Sequence, residues 1–312
     1  MSFTLDLHFL GRARVIATAA IPVDGGVVLV DPGPSSCRVA LEEGLATHGY
    51  TLRDVRALLL THIHFDHAGS AGTLAHAFPG LPVYVHEFGA KHLANPERLV
   101  ASATRLYGAD MDRLWGEFRA VPGDALRALQ GGETFAVGGR RFAVLYTPGH
   151  AVHHVSYHDH TDGTAYVGDT AGIAVQPGYV LPATPPPDID LERWAISLDE
   201  IEAWRPVRLF LTHFGAVDDV AGHLRMYREA LVRVGESVRL ALAGEGEESR
   251  QSAGWVEWLR RDVRNVLSEV DAQTVETAAP FEQLWQGLAR YWRKRAERGA
   301  AGVDAAPRSG TR

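Results

Sequence analysis

The sequence contains a single cysteine, Cys37, and no excess of positive charge. One cysteine excludes an intramolecular disulfide and a thiolate-rich zinc ribbon. A formal net charge of −7 and a pI near 6.1 argue against a protein that binds nucleic acid mainly through phosphate contacts. The 312 residues are 46% hydrophobic, which is enough for a large core in one domain with an appendage or in two domains.

Long apolar segments are also missing. No apolar run approaches the roughly 20 residues that a membrane-spanning helix needs. The first residues, Met1–Asp6, do not join a basic segment to an apolar one, as a signal peptide would. We therefore expect a cytoplasmic protein that contacts neither a membrane nor nucleic acid.

Histidine and aspartate are concentrated in one short stretch directly after an apolar run. The pattern is His62-x-His64-x-Asp66-His67. A buried imidazole or carboxylate needs a polar partner, so four of them at the end of a strand have little structural use. Imidazoles and carboxylates are ligands for zinc and iron. The pattern therefore predicts a metal site.

Short apolar strands and helices alternate over about the first two hundred residues, which predicts an α/β fold. Residues 88 to about 129 are expected to be mainly helical, and Gly138-Gly139 is expected to turn a hairpin. Strands are expected at residues 3–10, 14–21, 27–30, just before His62, and at 82–86, 135–137, 142–146, 153–158, 164–167 and 209–211.

Three further candidate ligands lie where later predicted strands end. His150 follows Thr-Pro-Gly, Asp169 follows a glycine, and His213 follows an apolar strand. Each is placed on a loop that a rigid sheet can aim. A single strand-end histidine is a weak signal, but three such residues agree with the metal site that the first cluster predicts.

The order of these seven residues resembles the ligand motif of the metallo-β-lactamase-fold metallo-hydrolase superfamily, and the resemblance covers about residues 10–215. The resemblance implies a four-layer αβ/βα sandwich with a site at the sheet edges and two divalent metal ions, most commonly Zn²⁺, with iron or manganese as alternatives. It also implies that one metal is held by His62, His64 and His150, and that Asp169 bridges to a second. The ligands of that second metal would be Asp66, His67 and His213.

Two metals suggest a hydrolase. The seven ligands supply two negative charges against four positive ones, so the site stays electrophilic and lowers the pKa of bound water. Our hypothesis is that a bridging hydroxide attacks the carbonyl carbon of a small-molecule thioester, ester or lactone. Asp66 and Asp169 would be the catalytic carboxylates, with Asp66 orienting the nucleophile.

Some branches of the superfamily resemble this chain more than others do. True β-lactamases are exported and usually have a cysteine at the position of Asp169, and acyl-homoserine lactonases have a tyrosine at the position of Gly172. Hydroxyacylglutathione hydrolases (glyoxalase II) combine the same ligands with a helical C-terminal domain, as this chain does. The alternative is a persulfide dioxygenase-like oxidoreductase with one iron, although His213 together with Asp66 and His67 favours two metals.

Supporting residues are predicted around the ligands. Asp31, at a strand end before Pro-Gly, is expected to accept a hydrogen bond from a ligand histidine. Tyr179, in a proline-dense loop after Asp169, is a candidate substrate contact. His153 and His154 follow His150 closely, but neighbours on a strand face opposite ways, so at most one would point to the site.

The C-terminal third predicts helices. We expect a catalytic domain over residues 1–218, a helical region over 219–299 and a disordered tail over 300–312. The helices are expected at about 220–242, 253–270 and 280–298. They could cap the active site, as in the glutathione-using relatives, or form the contact of a homodimer.

Overall fold

The computed structural model describes residues 1–304, with side chains to residue 298. Its first sheet has six strands in the order β1-β2-β3-β4-β5-β6, the first two pairs antiparallel and the rest parallel. Its strands are β1 (Phe3–Asp6), β2 (Ala17–Val23), β3 (Gly26–Val30), β4 (Val55–Leu59), β5 (Val83–His86) and β6 (Leu126–Leu129).

The second sheet has six strands in the order β12-β11-β10-β9-β8-β7. All neighbours are antiparallel except β10 and β11. Its strands are β7 (Thr134–Val137), β8 (Arg140–Tyr146), β9 (Val155–Asp159), β10 (Thr164–Gly168), β11 (Arg208–Leu211) and β12 (Gly215–Val217).

Helices cover the outer face of each sheet. Those in the first half of the chain are α1 (Arg38–Thr47), α2 (Phe65–Ala68), α3 (Ala71–Ala77), α4 (Glu87–Ala94), α5 (Glu97–Tyr107) and α6 (Met111–Trp115). Those in the second half are α7 (Leu191–Ala203), α8 (Val220–Leu242), α9 (Glu248–Val266), α10 (Glu269–Ala278) and α11 (Phe281–Asp304). None of the helices within residues 1–304 is long and apolar enough to cross a membrane.

Alternation along the strands builds the layers. On β3, Val28 and Val30 face the second sheet and pack with Tyr157 and Phe210, whereas Leu29 faces the helices of the first sheet. Successive strand side chains point to opposite faces, so each sheet buries one face against the other sheet and one against helices. This arrangement is the predicted four-layer αβ/βα sandwich, and the fold prediction is confirmed.

The C-terminal helices share a hydrophobic core with the second sheet. Trp194 and Leu198 of α7 belong to the same buried cluster as Tyr227 of α8 and Trp285 of α11. The predicted helix over 253–270 is instead two helices, because the Ser268 hydroxyl accepts a hydrogen bond from the Asp271 amide and starts α10. Helix α11 includes residues 300–304 of the predicted tail, and the rest of that tail lies outside the described residues.

Four strand predictions were inaccurate, including the second strand, which runs over Ala17–Val23 and not over 14–21. The first strand ends at Asp6, whose carboxylate accepts hydrogen bonds from the amides of His8 and Arg14 and turns the chain. Strand β6 was expected to be helical, but its four residues pair in parallel with β5. Strand β9 begins at Val155, two residues later than expected. The Gly138-Gly139 hairpin is as predicted, with φ of 49° and 79°.

Candidate metal centre

The histidine cluster lies immediately after strand β4. The strand lies within the first sheet, with one face toward the second sheet and the other toward the outer helices, and the chain leaves it at Leu60 and enters α2 at Phe65. His62 and His64 lie on the connecting segment, and Asp66 and His67 lie in the first turn of α2. A strand followed at once by a short helix therefore brings four polar side chains to the same edge of the sheet.

Three imidazoles converge to form the first group of candidate ligands. His62 Nε2 lies 3.0 Å from His64 Nδ1, and His150 Nε2 lies 3.0 Å from His64 Nδ1 and 3.2 Å from His62 Nε2. His62 and His150 are buried, and His64 is partly buried at the edge of a cavity. The three nitrogens are therefore close enough together for one cation to contact all of them.

A second group forms beside the first. His213 Nε2 lies 3.3 Å from Asp66 Oδ2, and His67 Nε2 lies 3.6 Å from the same oxygen. His213 comes from the end of β11 and is therefore supplied by the second sheet. Both imidazoles are buried, and the Asp66 side chain is 20% exposed and borders the cavity.

Asp169 lies between the two groups. Its Oδ1 is 3.2 Å from His67 Nε2 and 3.5 Å from His213 Nε2, whereas its Oδ2 is 3.4 Å from His150 Nε2. His62, His67 and Asp169 also form a set of ligand atoms within 4.8 Å of one another. All seven candidate ligands predicted from the sequence are thus brought together in one place.

Buried polar atoms in this cluster lack partners. His67 Nε2 and Asp169 Oδ1 lie 3.2 Å apart, yet neither has an aligned hydrogen-bond partner among the described residues. A buried polar atom without a partner costs free energy, so such atoms usually face a bound group. The cluster has the donors that a cation would require.

Four hydrogen bonds hold the far side of the candidate ligand rings. His150 Nδ1 lies 2.7 Å from the Ala183 carbonyl, and His213 Nδ1 lies 2.6 Å from the Val15 carbonyl. His62 Nδ1 is 3.1 Å from the Thr61 hydroxyl, and His67 Nδ1 is 2.8 Å from Asp31 Oδ2. Carbonyl and carboxylate partners keep the proton on Nδ1 and leave Nε2 free to bind a cation.

Asp31 is the centre of this support. Its carboxylate is fully buried and accepts hydrogen bonds from the Thr61 amide (2.8 Å), the Thr61 hydroxyl (2.7 Å) and the Thr212 hydroxyl (2.8 Å), in addition to His67. The contact with a candidate ligand histidine is the one expected from the sequence. Asp31 has a φ of 50°, a conformation that non-glycine residues adopt at a cost and that is common at functional sites.

We expect Asp31→Ala to lower the free energy of unfolding by about 3–5 kcal/mol, because it leaves several buried donors without an acceptor. Metal affinity should fall about 10-fold to 100-fold as His67 loses its partner. Thr212→Val is the matched control, since it removes one of the same hydrogen bonds and should cost only about 1 kcal/mol. Urea denaturation and competition with a chromophoric chelator measure the two effects, and equal losses in both variants would contradict the assignment.

Electrostatics separate the histidines into two kinds. Burial lowers the pKa of His62 well below its ordinary value and lowers that of His64 to about 3, and neighbouring imidazoles add to the effect. Burial also opposes a charge on His67, but the carboxylates of Asp169, Asp66 and Asp31 outweigh it and raise its pKa well above the ordinary value. The first group is therefore neutral, as ligands must be, and the second is held beside negative charge.

Both carboxylates are ionised. Burial opposes the charge on Asp66, but His67 and His213 lower its pKa to about 2. The same two histidines and His150 hold the pKa of Asp169 well below its ordinary range in spite of burial. The site thus has two negative charges ready to offset a cation.

Tyr179 is not where we expected it. Its ring is buried in the core that the C-terminal helices share, and its hydroxyl donates a 3.2 Å hydrogen bond to Asp262 of α9. It does not line the cavity beside the candidate ligands. The loop turns this side chain inward because α9 offers an apolar surface and an acceptor, whereas Pro185, Pro186 and Pro187 of the same loop do border the cavity.

His153 faces the cavity beside the candidate ligands. It lies in the turn before β9, its ring stacks 6.1 Å from that of His62, and it lines the cavity. His154 does not line the cavity, but its ring stacks 4.9 Å from that of His62 and lies between Thr147 and Thr170, with its Nε2 3.3 Å from the Asp169 amide. As expected, only one of the pair faces the cavity, although the two belong to a turn and not to the strand.

The chain matches a known family over most of its first two thirds. The family model described as the metallo-beta-lactamase superfamily matches residues 15–214. The chain belongs to this superfamily.

Individual relatives match a smaller part of the chain than the family model does. The metallo-beta-lactamase fold-containing protein ST1585 of Sulfurisphaera tokodaii is 33% identical over 164 residues, which cover 51% of this chain and 60% of that protein. A hydroxyacylglutathione hydrolase of Xanthomonas campestris pv. campestris is 33% identical over 179 residues, which cover 57% and 54%. The chain therefore spans little more than half the length of these relatives.

Solved structures agree in fold over more of the chain. The metallo-beta-lactamase family protein TTHA1429 from Thermus thermophilus has a TM-score of 0.66 at 24% identity and covers 90% of this chain and 89% of its own. The ST1585 structure has a TM-score of 0.63 at 22% identity and covers 92% and 98%. At these identities the likeness concerns the fold.

Proposed function

We propose that the protein is a dinuclear metal-dependent hydrolase that cleaves a thioester, ester or lactone. The observation that carries the proposal is the position of the Asp169 carboxylate. One of its oxygens faces His67 and His213 at 3.2 and 3.5 Å, and the other faces His150 at 3.4 Å. A carboxylate that presents one oxygen to each of two ligand groups is suited to bridge two cations.

The donor atoms of the first group are compatible with zinc. Zinc–nitrogen bonds of about 2.0–2.1 Å in a tetrahedral site put two ligand nitrogens about 3.3–3.4 Å apart. The three imidazole nitrogens of His62, His64 and His150 lie 3.0–3.2 Å apart, so a small expansion would accommodate the ion. Iron and manganese accept the same donors, and the absence of thiolate ligands leaves the choice to metal supply.

The second group would hold the other ion with Asp66, His67 and His213, and Asp169 would contact both. When bound, two divalent ions supply a water of lowered pKa and positive charge that polarises a carbonyl. The residues of the chain hold that arrangement. Asp31 fixes the His67 ring, and the Asp66 carboxylate, 20% exposed at the cavity wall, can accept a hydrogen bond from the attacking water and orient it.

The net reaction is hydrolysis. The water oxygen bonds to the acyl carbon, the bond from that carbon to oxygen or sulfur breaks, and the departing alcohol or thiol takes up the proton. Relatives described as hydroxyacylglutathione hydrolases support a thioester or ester as the bond cleaved. An aspartate rather than a cysteine at position 169 argues against a β-lactam substrate.

Metal analysis and a substrate panel test the proposal together. Protein purified without added metal should contain close to two zinc ions per chain, and it should hydrolyse at least one of a thioester, an aryl ester and a lactone with a kcat/KM of about 10⁴ M⁻¹ s⁻¹ or more. A chelator should abolish turnover, and zinc should restore it. One iron per chain, with oxygen consumed in the presence of a persulfide, would instead identify a dioxygenase-like oxidoreductase.

A further inference from the structure

A large cavity opens directly beside the candidate metal centre. Its volume is about 850 Å³, and His64, Asp66 and Asp169 form part of its wall. This volume is near the upper end of the range of about 300–1,000 Å³ for pockets that hold a small-molecule ligand. The volume extends well past the candidate ligands, so it provides space for much more than the bond to be cleaved.

The wall away from these ligands is apolar. Helices α4, α5 and α6 form one side, and the loop at 183–188 and the junction of α10 with α11 form the other. The apolar lining residues include Phe9, Ile63, Phe65, Leu99, Ala103, Leu114, Trp115, Ala278, Ala279, Pro280 and Leu284. Among the described residues, the same helices also contribute a few polar side chains to the lining, namely Ser102, Tyr107, Thr277 and Gln283.

Exposed hydrophobic side chains surround the opening of the cavity. Leu10, Phe88, Leu106 and Val152 are between 41% and 44% exposed, and all four line the cavity. A single exposed apolar side chain is ordinary, but four around one opening form a patch of the kind that marks a site for an apolar ligand.

Few charged groups line the cavity apart from the candidate ligands. Lys91 of α4 and Arg98 of α5 are exposed, and neither has a salt bridge among the described residues. Apart from Asp66 and Asp169, the acidic lining residues are Asp188 and Glu276, and Glu276 is already paired with Arg260 at 2.7 Å. Polar parts of a substrate would thus find more partners near Lys91 and Arg98 than along the mainly apolar wall.

The C-terminal region closes the cavity. Ala278, at the end of α10, packs against both the core of the first sheet and the core of the second. The Tyr107 hydroxyl donates a 3.3 Å hydrogen bond to Gln283 Oε1 of α11, which ties α5 to the C-terminal helices across the cavity wall. The α10–α11 junction is therefore a fixed wall of this cavity.

We propose that this cavity is an acyl chamber, so that the substrate is an ester or thioester with an aliphatic acyl chain of about eight carbons or more. This assignment rests on the proposed hydrolase function. The carbonyl would lie beside Asp66 and Asp169, and the chain would extend along α5 toward Trp115 and Leu284. A peptide-like acyl or leaving group in the same space would bury several amides and carboxylates where polar partners are few, because Tyr107 and Gln283 already hydrogen-bond each other, so a glutathione moiety fits less well than an aliphatic chain.

A series of thioesters that differ only in acyl length tests the chamber. Burial of one methylene is worth about a fourfold change in affinity, so kcat/KM should rise at least about 100-fold from the acetyl to the octanoyl thioester. The octanoyl thioester should also exceed S-lactoylglutathione. A second readout, independent of turnover, is calorimetric titration of the full-length protein with dodecanoate.

Two alanines on α5 give a matched pair of variants. Ala103 is buried and lines the chamber, whereas Ala101 is exposed on the same helix and does not line it. We expect Ala103→Phe to weaken dodecanoate binding at least about 10-fold and to remove the preference for octanoyl over acetyl, since the added ring takes the space of several methylenes. Ala101→Phe should leave both within about twofold. Ala103→Leu gives a milder version of the same change if Ala103→Phe does not fold.

The outcomes separate the chamber from the hydrolase function. Hydrolysis whose kcat/KM does not increase with chain length, or that favours S-lactoylglutathione, overturns the chamber and leaves the proposed function intact. Dodecanoate binding that depends on Ala103, without hydrolysis of any thioester or ester, supports the chamber and overturns the proposed function. Neither binding nor hydrolysis overturns both.

Discussion

Asp169→Ala should remove bound metal and hydrolytic turnover together, with kcat/KM reduced at least about 1,000-fold. In the proposed dinuclear site Asp169 would contact both ions, and the positive charge that the ions would supply is worth several kcal/mol to the reaction, at about 1.4 kcal/mol for each factor of ten. Without the carboxylate, His67 and His213 also face one negative charge fewer, so both ligand groups are weakened.

The control is a second buried aspartate on the same sheet. Asp159 is fully buried at the far end of β9 and pairs with Arg140, away from the ligand groups. Asp159→Ala should lower stability but leave the metal content of the folded protein unchanged. Inductively coupled plasma analysis and steady-state kinetics measure both variants, with circular dichroism as the test of folding. Full metal content and near-normal activity in Asp169→Ala would falsify the bridging role.

The convergence of the seven candidate ligands could be predicted from the sequence because each has a local signal. Four lie within six residues after an apolar strand, and His150, Asp169 and His213 each follow a recognisable strand end. A sheet aligns the ends of its strands, so residues at these positions meet in space whatever the loops between them do. The hydrogen bond from His67 to Asp31 is of the same kind, because Asp31 follows β3, the neighbour of β4.

The acyl chamber could not be predicted in this way. The sequence does not distinguish Tyr107 and Trp115 from core residues, because an apolar side chain that lines a cavity follows the same helical spacing as one in a core. Their partners across the cavity, Ala278 and Leu284, are more than 160 residues away in the sequence. The position of Tyr179 was wrong for a related reason, since whether a loop residue faces the pocket or α9 depends on where α9 packs.

Acidification from pH 7 to pH 5 should lower the free energy of unfolding of the chelator-treated protein by several kcal/mol. Burial lowers the pKa of five clustered histidines in the folded chain, namely His62, His64, His150, His153 and His154. Because the pKa of each is lower in the folded chain, these side chains bind fewer protons when folded than in the unfolded chain, which takes up protons below about pH 6.5. The unfolded state then binds more protons than the folded state. The free energy of unfolding therefore decreases as the pH is lowered, by up to about 1.4 kcal/mol per pH unit for each group.

His67 and His213 have the opposite sign. Burial opposes their charge, but nearby carboxylates raise the pKa of both, so their stabilising contribution is complete below about pH 6.5 and is lost only as the pH rises through the folded values. They therefore cannot cause the loss on acidification, and five histidines outweigh two. Urea denaturation at pH 5, 6 and 7 measures the slope. His153→Asn should reduce the slope of the free energy of unfolding against pH by the equivalent of about one proton, because it removes one of the five histidines. His153 is chosen since it lines the cavity without belonging to either ligand group. Stability that is constant or higher at pH 5 would mean that these imidazoles are not held neutral in the fold, and would remove the electrostatic argument that they are ready to bind a cation.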